Sequence, residues 1–134
     1  MLFQGKRVKR MKREELKIII ADDSALTRKQ LYDMLTEIGC KNIRQASNGN
    51  EAFEAYKEEK ADLVILDIIM PECDGISAIK AIKEYDNDAT IVMCSTIGTQ
   101  LKLKEAINAG AKDFIQKPAR MDQLQYVISK IAED

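Results

Sequence analysis

The chain predicts an α/β fold, a five-stranded parallel sheet with helices on both faces. Two observations carry this. From Leu16 onward, short apolar runs alternate five times with segments of helical period, a pattern that calls for parallel strands joined by crossover helices. Charged residues also stand where three of the strands should end: Asp22-Asp23 after Leu16–Ala21, Asp67 after Leu63–Leu66, and Lys117-Pro118 after Phe114–Gln116. In such a sheet the C-terminal strand ends meet in one crevice, where ligands bind. At 134 residues and 46% hydrophobic the chain has the size and the apolar content of one domain.

Each element has a local reason. Lys17–Ala21 is a short apolar run suited to a strand buried on both faces. Ser24 can cap a helix running to about Ile38, with Leu31, Met34, Leu35 and Ile38 on one face and Gly39 as its stop. Asn42–Ala46 reads as a second, weaker strand. Asn48-Gly49 reads as a turn, and Glu51–Glu59 as a helix with Ala52, Phe53 and Tyr56 inward. Leu63–Leu66 is the most apolar strand and belongs in the centre. Pro71, Asp74 and Gly75 force a loop before a third helix carrying Ile76, Ile79 and Ile82. Thr90–Cys94 is the fourth strand, and a helix from about Thr99 to Ala109 ends at Gly110. Asp113–Ile115 is a short fifth strand, and Met121 to Ala132 a last helix presenting Leu124, Val127, Ile128 and Ile131. By analogy with flavodoxin-like folds of this length, five strands take the order 2-1-3-4-5.

The crevice would collect three carboxylates and one ammonium. Carboxylates that close repel and raise each other's pKa unless a cation neutralises them. A hard divalent cation held by oxygens resolves this, and Mg²⁺ fits because it keeps several waters and needs only one or two carboxylates. Asp22 and Asp23 begin a loop, where the chain bends and both side chains can face the crevice, one binding directly and one through water. The same pair also fits an acidic helix N-terminus. Asp67 follows four aliphatics and is costly if buried unpaired. It can serve as a nucleophile forming an acyl phosphate, or as a loop Asp accepting backbone hydrogen bonds. Ser95 is either a donor to a phosphoryl oxygen or a plain helix cap. Lys117 is a flexible point charge for carboxylate or phosphate, and Pro118 after it cannot continue a ladder. Together these residues read as a magnesium-dependent phosphoryl acceptor.

Composition narrows the classes. The chain has no histidine, so a phosphoryl group arriving from histidine must come from a partner. Cys40, Cys73 and Cys94 show no Cys-x-x-Cys spacing and read as buried thiols of a reducing compartment. No apolar run reaches the roughly 20 residues of a membrane span and no secretory pattern is visible, so a cytoplasmic location is expected. Residues 1–13 hold six basic and no acidic residues. Taking six from 21 leaves 15 basic against 22 acidic groups in the rest, a net of −7. The division is therefore a basic arm at 1–15 and a domain at 16–134. The arm reads as a solvated tail rather than a nucleic-acid contact, and Leu2-Phe3-Gln4-Gly5 looks like a protease-site remnant of an expression tag.

The joint pattern resembles the receiver domain of two-component response regulators. It rests on Asp22-Asp23-Ser24, Asp67 with Met70-Pro71-Glu72-Cys73-Asp74-Gly75, then Ser95 and Lys117-Pro118, over about residues 16–132. Asp-Asp-Ser with Arg28 beyond it, and Asn108 to Ile115, are most similar to stand-alone chemotaxis-type receivers. A chemotaxis regulator is itself a known example of the strand order given above. The resemblance implies that Asp67 is phosphorylated and that Asp22, Asp23, Asp67 and the carbonyl of Ile69 hold Mg²⁺. It implies that Lys117 contacts the phosphoryl group, and that Ser95, Thr96 and Phe114 occupy the switch positions. The implied partners are a sensor histidine kinase or histidine phosphotransfer protein and a downstream target protein. The output surface would be helix four, strand five and helix five. The chain would be a signalling phosphoacceptor rather than a turnover enzyme. A Mg²⁺-dependent aspartate phosphatase would carry a second acid two residues after the nucleophile, where Ile69 stands. A phosphorylation-independent module does not need the intact acidic set. A flavin or dinucleotide protein would need a Gly-rich loop after strand one, which is missing.

Three departures have consequences. Thr96 stands where the family has Ala or Gly, so its bulk should slow phosphorylation. Ala119 stands where Phe is common, so the helix-five surface should meet a different partner. Ile69 and Ile97 flank the entry and would shield an acyl phosphate from water, giving slow self-dephosphorylation. Replacing both with polar residues is expected to shorten the phosphoryl lifetime, and an unchanged decay rate would count against shielding.

Overall fold

The computed structural model describes residues 11–70, 74–96 and 100–133. Pro71, Glu72, Cys73, Ile97, Thr99 and the arm before Met11, each given a reading above, lie outside the described residues. Five parallel strands form the main sheet: β1 Lys17–Ala21, β2 Asn42–Ala46, β3 Leu63–Leu66, β4 Ile91–Ser95 and β5 Asp113–Gln116. They lie in the order 2-1-3-4-5, as expected. The helices are α1 Ala25–Ile38, α2 Gly49–Glu58, α3 Gly75–Tyr85, α4 Gln100–Ala109 and α5 Met121–Ile131. Among the described residues no helix is long and apolar enough to cross a membrane.

Alternation along the strands makes the core two-sided. Ile18 and Ile20 of β1, Leu63 and Ile65 of β3, and Val92 and Cys94 of β4 pack with Leu31 and Leu35 of α1 and Leu124 and Ile128 of α5. The residues between them, Ile19, Val64, Leu66, Ile91 and Met93, pack with Ala52 and Tyr56 of α2 and with Ile79 and Ile82 of α3. Both faces of the central strands are thus closed, and each fully buried Ile or Leu contributes about 1.5–3 kcal/mol.

Element boundaries differ by small steps with local causes. Asn48, expected in a turn, is the N-cap of α2: its side chain accepts the Glu51 N–H at 2.8 Å, so the helix begins at Gly49. Ser24 caps α1 as expected, accepting from the Thr27 N–H at 3.2 Å. Gly39 ends α1 at φ 117°, a left-handed conformation in which a side chain would be strained. The fourth strand is shifted one residue, because Ser95 still pairs with Gln116.

The last residues of the arm are ordered. Met11–Lys12 pair in parallel with Ala132–Glu133, so the chain turns into a short strand where α5 was expected to continue. Arg13 begins a 3-10 turn, and its guanidinium donates to Gln125 Oε1 at 2.9 Å and to the Ile38 carbonyl at 3.3 Å. One side chain thereby ties the end of α1 to α5.

Tyr56 is a buried anchor between α2 and the end of α3. Its hydroxyl donates to Asp86 Oδ2 at 2.7 Å, and its ring meets Tyr85 edge-on at 6.3 Å. Burial first, then the Asp86 carboxylate, pushes the phenol well above its usual range. The same bond is the main cause of a depressed Asp86 pKa. A carboxyl depressed on folding adds stability above its unfolded pKa, about 3.9, and loses it as pH falls through the folded value. Tyr56→Phe is therefore expected to raise the Asp86 pKa, read by carbon-detected NMR. The stability gap between wild type and variant should narrow as pH drops below about 4, and a gap independent of acid would refute the coupling.

Candidate functional site

Strand order puts the ends of β1 and β3 side by side, with Ala21 opposite Leu66. The next residue of each strand is a carboxylate. The Asp67 N–H donates to the Ala21 carbonyl at 3.0 Å and the Asp22 N–H to the Ala46 carbonyl at 3.1 Å, so the ladder is carried one rung past the strands. Asp22 is 1% exposed and Asp67 6%, while Asp23 faces solvent. From β5 on the other side of β4, Lys117 reaches back with its side chain. Its ammonium lies 2.6 Å from Asp22 Oδ2 and 3.1 Å from Asp67 Oδ2.

The two buried carboxylates are held alike. Asp22 Oδ1 accepts the Ser24 N–H at 2.9 Å and Asp67 Oδ1 accepts the Ile69 N–H at 3.3 Å. Each therefore gives one oxygen to a local backbone donor and the other to Lys117. The local hydrogen bonds weighed as an alternative to clustering are present together with it.

Three carboxylates offer oxygens within 4.8 Å of one another at Asp22, Asp23 and Asp67. With one ammonium among them the cluster carries two excess negative charges. Burial first, then the nearby Asp67 carboxylate, pushes the Asp22 carboxyl above its ordinary value, while Lys117 and the Ser24 N–H pull it down. Burial disfavours the Lys117 ammonium, but the two carboxylates outweigh it and raise its pKa. The donor set thus fits a hard dication: all oxygen, doubly negative in excess, with Asp23 open to water. Asp22, Asp23 and Asp67 are the residues that would hold it.

The remaining predicted residues surround this centre. Ser95 is 3% exposed at the end of β4, and its carbonyl accepts the Lys117 N–H at 2.7 Å. Thr96 is exposed beside it. Phe114 is half-buried, opposite Met93 in the sheet and packed against the core cluster that includes Ala106 of α4. The Ile69 side chain is 65% exposed, at the mouth of the site. Ala119, with Leu31, Met34 and Thr96, lines a cavity of about 340 Å³ next to Lys117, which the small Ala119 side chain leaves open. Cys40 and Cys94 are buried free thiols, as expected, and burial pushes Cys94 up to about 12, so it is inert at neutral pH.

Two contributors escaped the sequence reading. Arg28 holds the Asp22 carbonyl, and Gly75 packs on the backbone of the Asp67 loop. Arg28 was visible only as a motif member, while the Asp74-Gly75 pair signalled a loop without showing what it packs on.

Known proteins similar to this chain point to one family. The sequence profile of the response regulator receiver domain matches residues 18–129. The chain is 47% identical over 114 residues to the chemotaxis protein CheY of Bacillus subtilis, covering 85% of this chain and 95% of that protein. It is 44% identical over 117 residues to the CheY of Thermotoga maritima, covering 87% and 98%. Among solved structures, CheY in a CheX–CheY–BeF3–Mg²⁺ complex from Borrelia burgdorferi superposes with a TM-score of 0.81 at 38% identity, over 88% of this chain and 90% of that one.

The Gly75 contact yields a test. Its N–H donates to the Ile68 carbonyl at 2.7 Å. A Cβ there would press on the Asp67 carbonyl oxygen and lie 2.6 Å from the Ile68 Cα. Both are backbone atoms and cannot swing away. Gly75→Ala is expected to destabilise by about 3 kcal/mol or more, at or beyond the upper end of overpacking costs. A denaturant midpoint within error of wild type would show that α3 shifts freely.

Proposed function

The chain belongs to the response regulator receiver family, and on that footing we propose that it is a CheY-type phosphoacceptor whose Asp67 takes a phosphoryl group from a partner's phosphohistidine. The observation that carries this is the Lys117 ammonium bridging Asp22 and Asp67 within an oxygen cluster two charges too negative. A carboxylate oxygen of Asp67 forms the new bond to phosphorus, the donor's P–N bond breaks, and its electron pair leaves with the imidazole. Since the chain has no histidine, the donor is a sensor histidine kinase or a histidine phosphotransfer protein.

Such transfer needs positioning and charge neutralisation more than covalent help. Bound Mg²⁺ supplies positive charge to the phosphoryl oxygens. Asp22, Asp23, Asp67 and the Ile69 carbonyl are the proposed ligands, and a relative solved together with Mg²⁺ and BeF3 supports that reading. Lys117 moves its ammonium from the carboxylates to the phosphoryl oxygens. Each event spends one phosphodonor and leaves an acyl phosphate, so the protein is a signalling domain rather than a turnover enzyme.

The added group brings about −1.5 to −2 charges and strong acceptor oxygens. In the proposed switch Ser95 and Thr96 turn toward them, and Phe114 enters the space released. The α4–β5–α5 face then takes a second form that a downstream protein reads. The Borrelia relative's complex with CheX supports a protein target. A cytoplasmic location and the absence of a nucleic-acid role belong to the same proposal.

The experiment is incubation with Mg²⁺ and a small acyl-phosphate donor, read by intact mass beside Asp67→Asn. One added phosphoryl group, missing in the variant and without metal, is the expected outcome. No adduct in a metal-binding protein would sink the acceptor role. Unchanged affinity for a target after phosphorylation would sink the switch.

A further inference from the structure

Asp22 is anchored through both carboxylate oxygens, whereas the exposed Asp23 carboxylate has no side-chain hydrogen bond among the described residues. Its aim must come from the backbone. The peptide joining Asp22 to Asp23 is held by a neighbouring side chain: Arg28, at the end of the first turn of α1, donates from Nη1 to the Asp22 carbonyl at 2.6 Å. The same guanidinium donates from Nε to Gln45 Oε1 on β2 at 3.1 Å. The Arg28 N–H closes the first turn of α1 on the Ser24 carbonyl at 3.0 Å. With the Asp22 N–H bound to Ala46, the backbone of Asp22 is fixed on both sides. The plane from which Asp23 departs is fixed with it.

We propose that Arg28 is the positioning residue of the acidic pair: its guanidinium locks the Asp22–Asp23 peptide so that the Asp23 carboxylate meets the divalent cation alongside Asp22 and Asp67. The inference rests on the metal-dependent reading given above and adds to it a residue that touches neither metal nor phosphate. Two-point anchoring explains why arginine serves here. A planar fork spans the Asp22 carbonyl and Gln45 together, and an ammonium offers a single point charge.

The sign of the effect separates positioning from simple charge. Arg28 is a cation close to a cation site, so by Coulomb repulsion its removal would tighten metal binding. If it works by orienting a ligand, its removal weakens binding, as losing a group that orients metal ligands does by about 10-fold or more.

The test is calorimetric titration of Mg²⁺ into the full chain, with thermal melts in excess chelator to confirm folding. Arg28→Ala is expected to raise the Mg²⁺ dissociation constant about 10-fold, with Arg28→Lys in between because it recovers one of the two contacts. In an Asp23→Asn background the further loss from Arg28→Ala should vanish, since coupled residues are not additive. Affinity equal to or tighter than wild type in Arg28→Ala overturns the proposal, as does an undiminished loss in the Asp23→Asn background. Should Arg28→Ala not fold, wild-type affinity in Arg28→Lys together with an unchanged constant in Asp23→Asn overturns it. A wild-type chain that takes up no Mg²⁺ sinks the metal reading itself, and this proposal with it.

Discussion

The site depends on one ammonium shared by two buried carboxylates. Asp22 and Asp67 extend neighbouring strands into the same crevice, and Lys117 lies within 3.1 Å of both. Without it the two would stand side by side and repel, since breaking a buried pair costs about 3–5 kcal/mol. With it they are tolerated but not neutralised, because Asp23 adds a third charge. The folded protein is thus stable enough to hold the cluster and still too negative there, the condition under which a dication or a donor's cationic group is attracted.

Topology creates that condition. In the order 2-1-3-4-5, β1 and β3 are neighbours although over forty residues part them in the chain. A sheet in the order 1-2-3 would put β2 between Asp22 and Asp67. Lys117 enters from β5, beyond β4, and its side chain must cross the end of that strand to reach both carboxylates. The Ser95 carbonyl accepts the Lys117 N–H at 2.7 Å and so fixes the point from which it crosses.

Much of this was legible because the strands are short, apolar and ended by charge. Leu63–Leu66 reads directly as a strand buried on both faces, and it is the central one. Ser24, Gly39 and Gly110 punctuate α1 and α4 as their side chains or lack of them require. Hidden features depend on partners distant in sequence or on cap geometry. Asn48 signals a turn and a cap equally well, and only its bond to the Glu51 N–H decides. The pairing of Met11–Lys12 with Ala132–Glu133 joins two segments far apart in the sequence, and neither has a periodicity that announces it. Arg28 lies on the amphipathic α1, where an arginine ordinarily faces water. Its role comes from a carbonyl six residues back and an amide on another strand.

The hydrogen bond between β4 and β5 also bears on the proposed switch. Lys117 is joined to Ser95 through its backbone and to Asp67 through its side chain, so a change in charge at Asp67 acts on both strands through one residue. Phe114 lies three residues before Lys117 and packs against the core cluster that includes Ala106 of α4. In the proposed switch a pull on Lys117 and a turn of Ser95 act on the same two strand ends. The proposed switch therefore needs no separate relays for the chemical step and the shape change, because the backbone bond that orients Lys117 would also carry its displacement into β4.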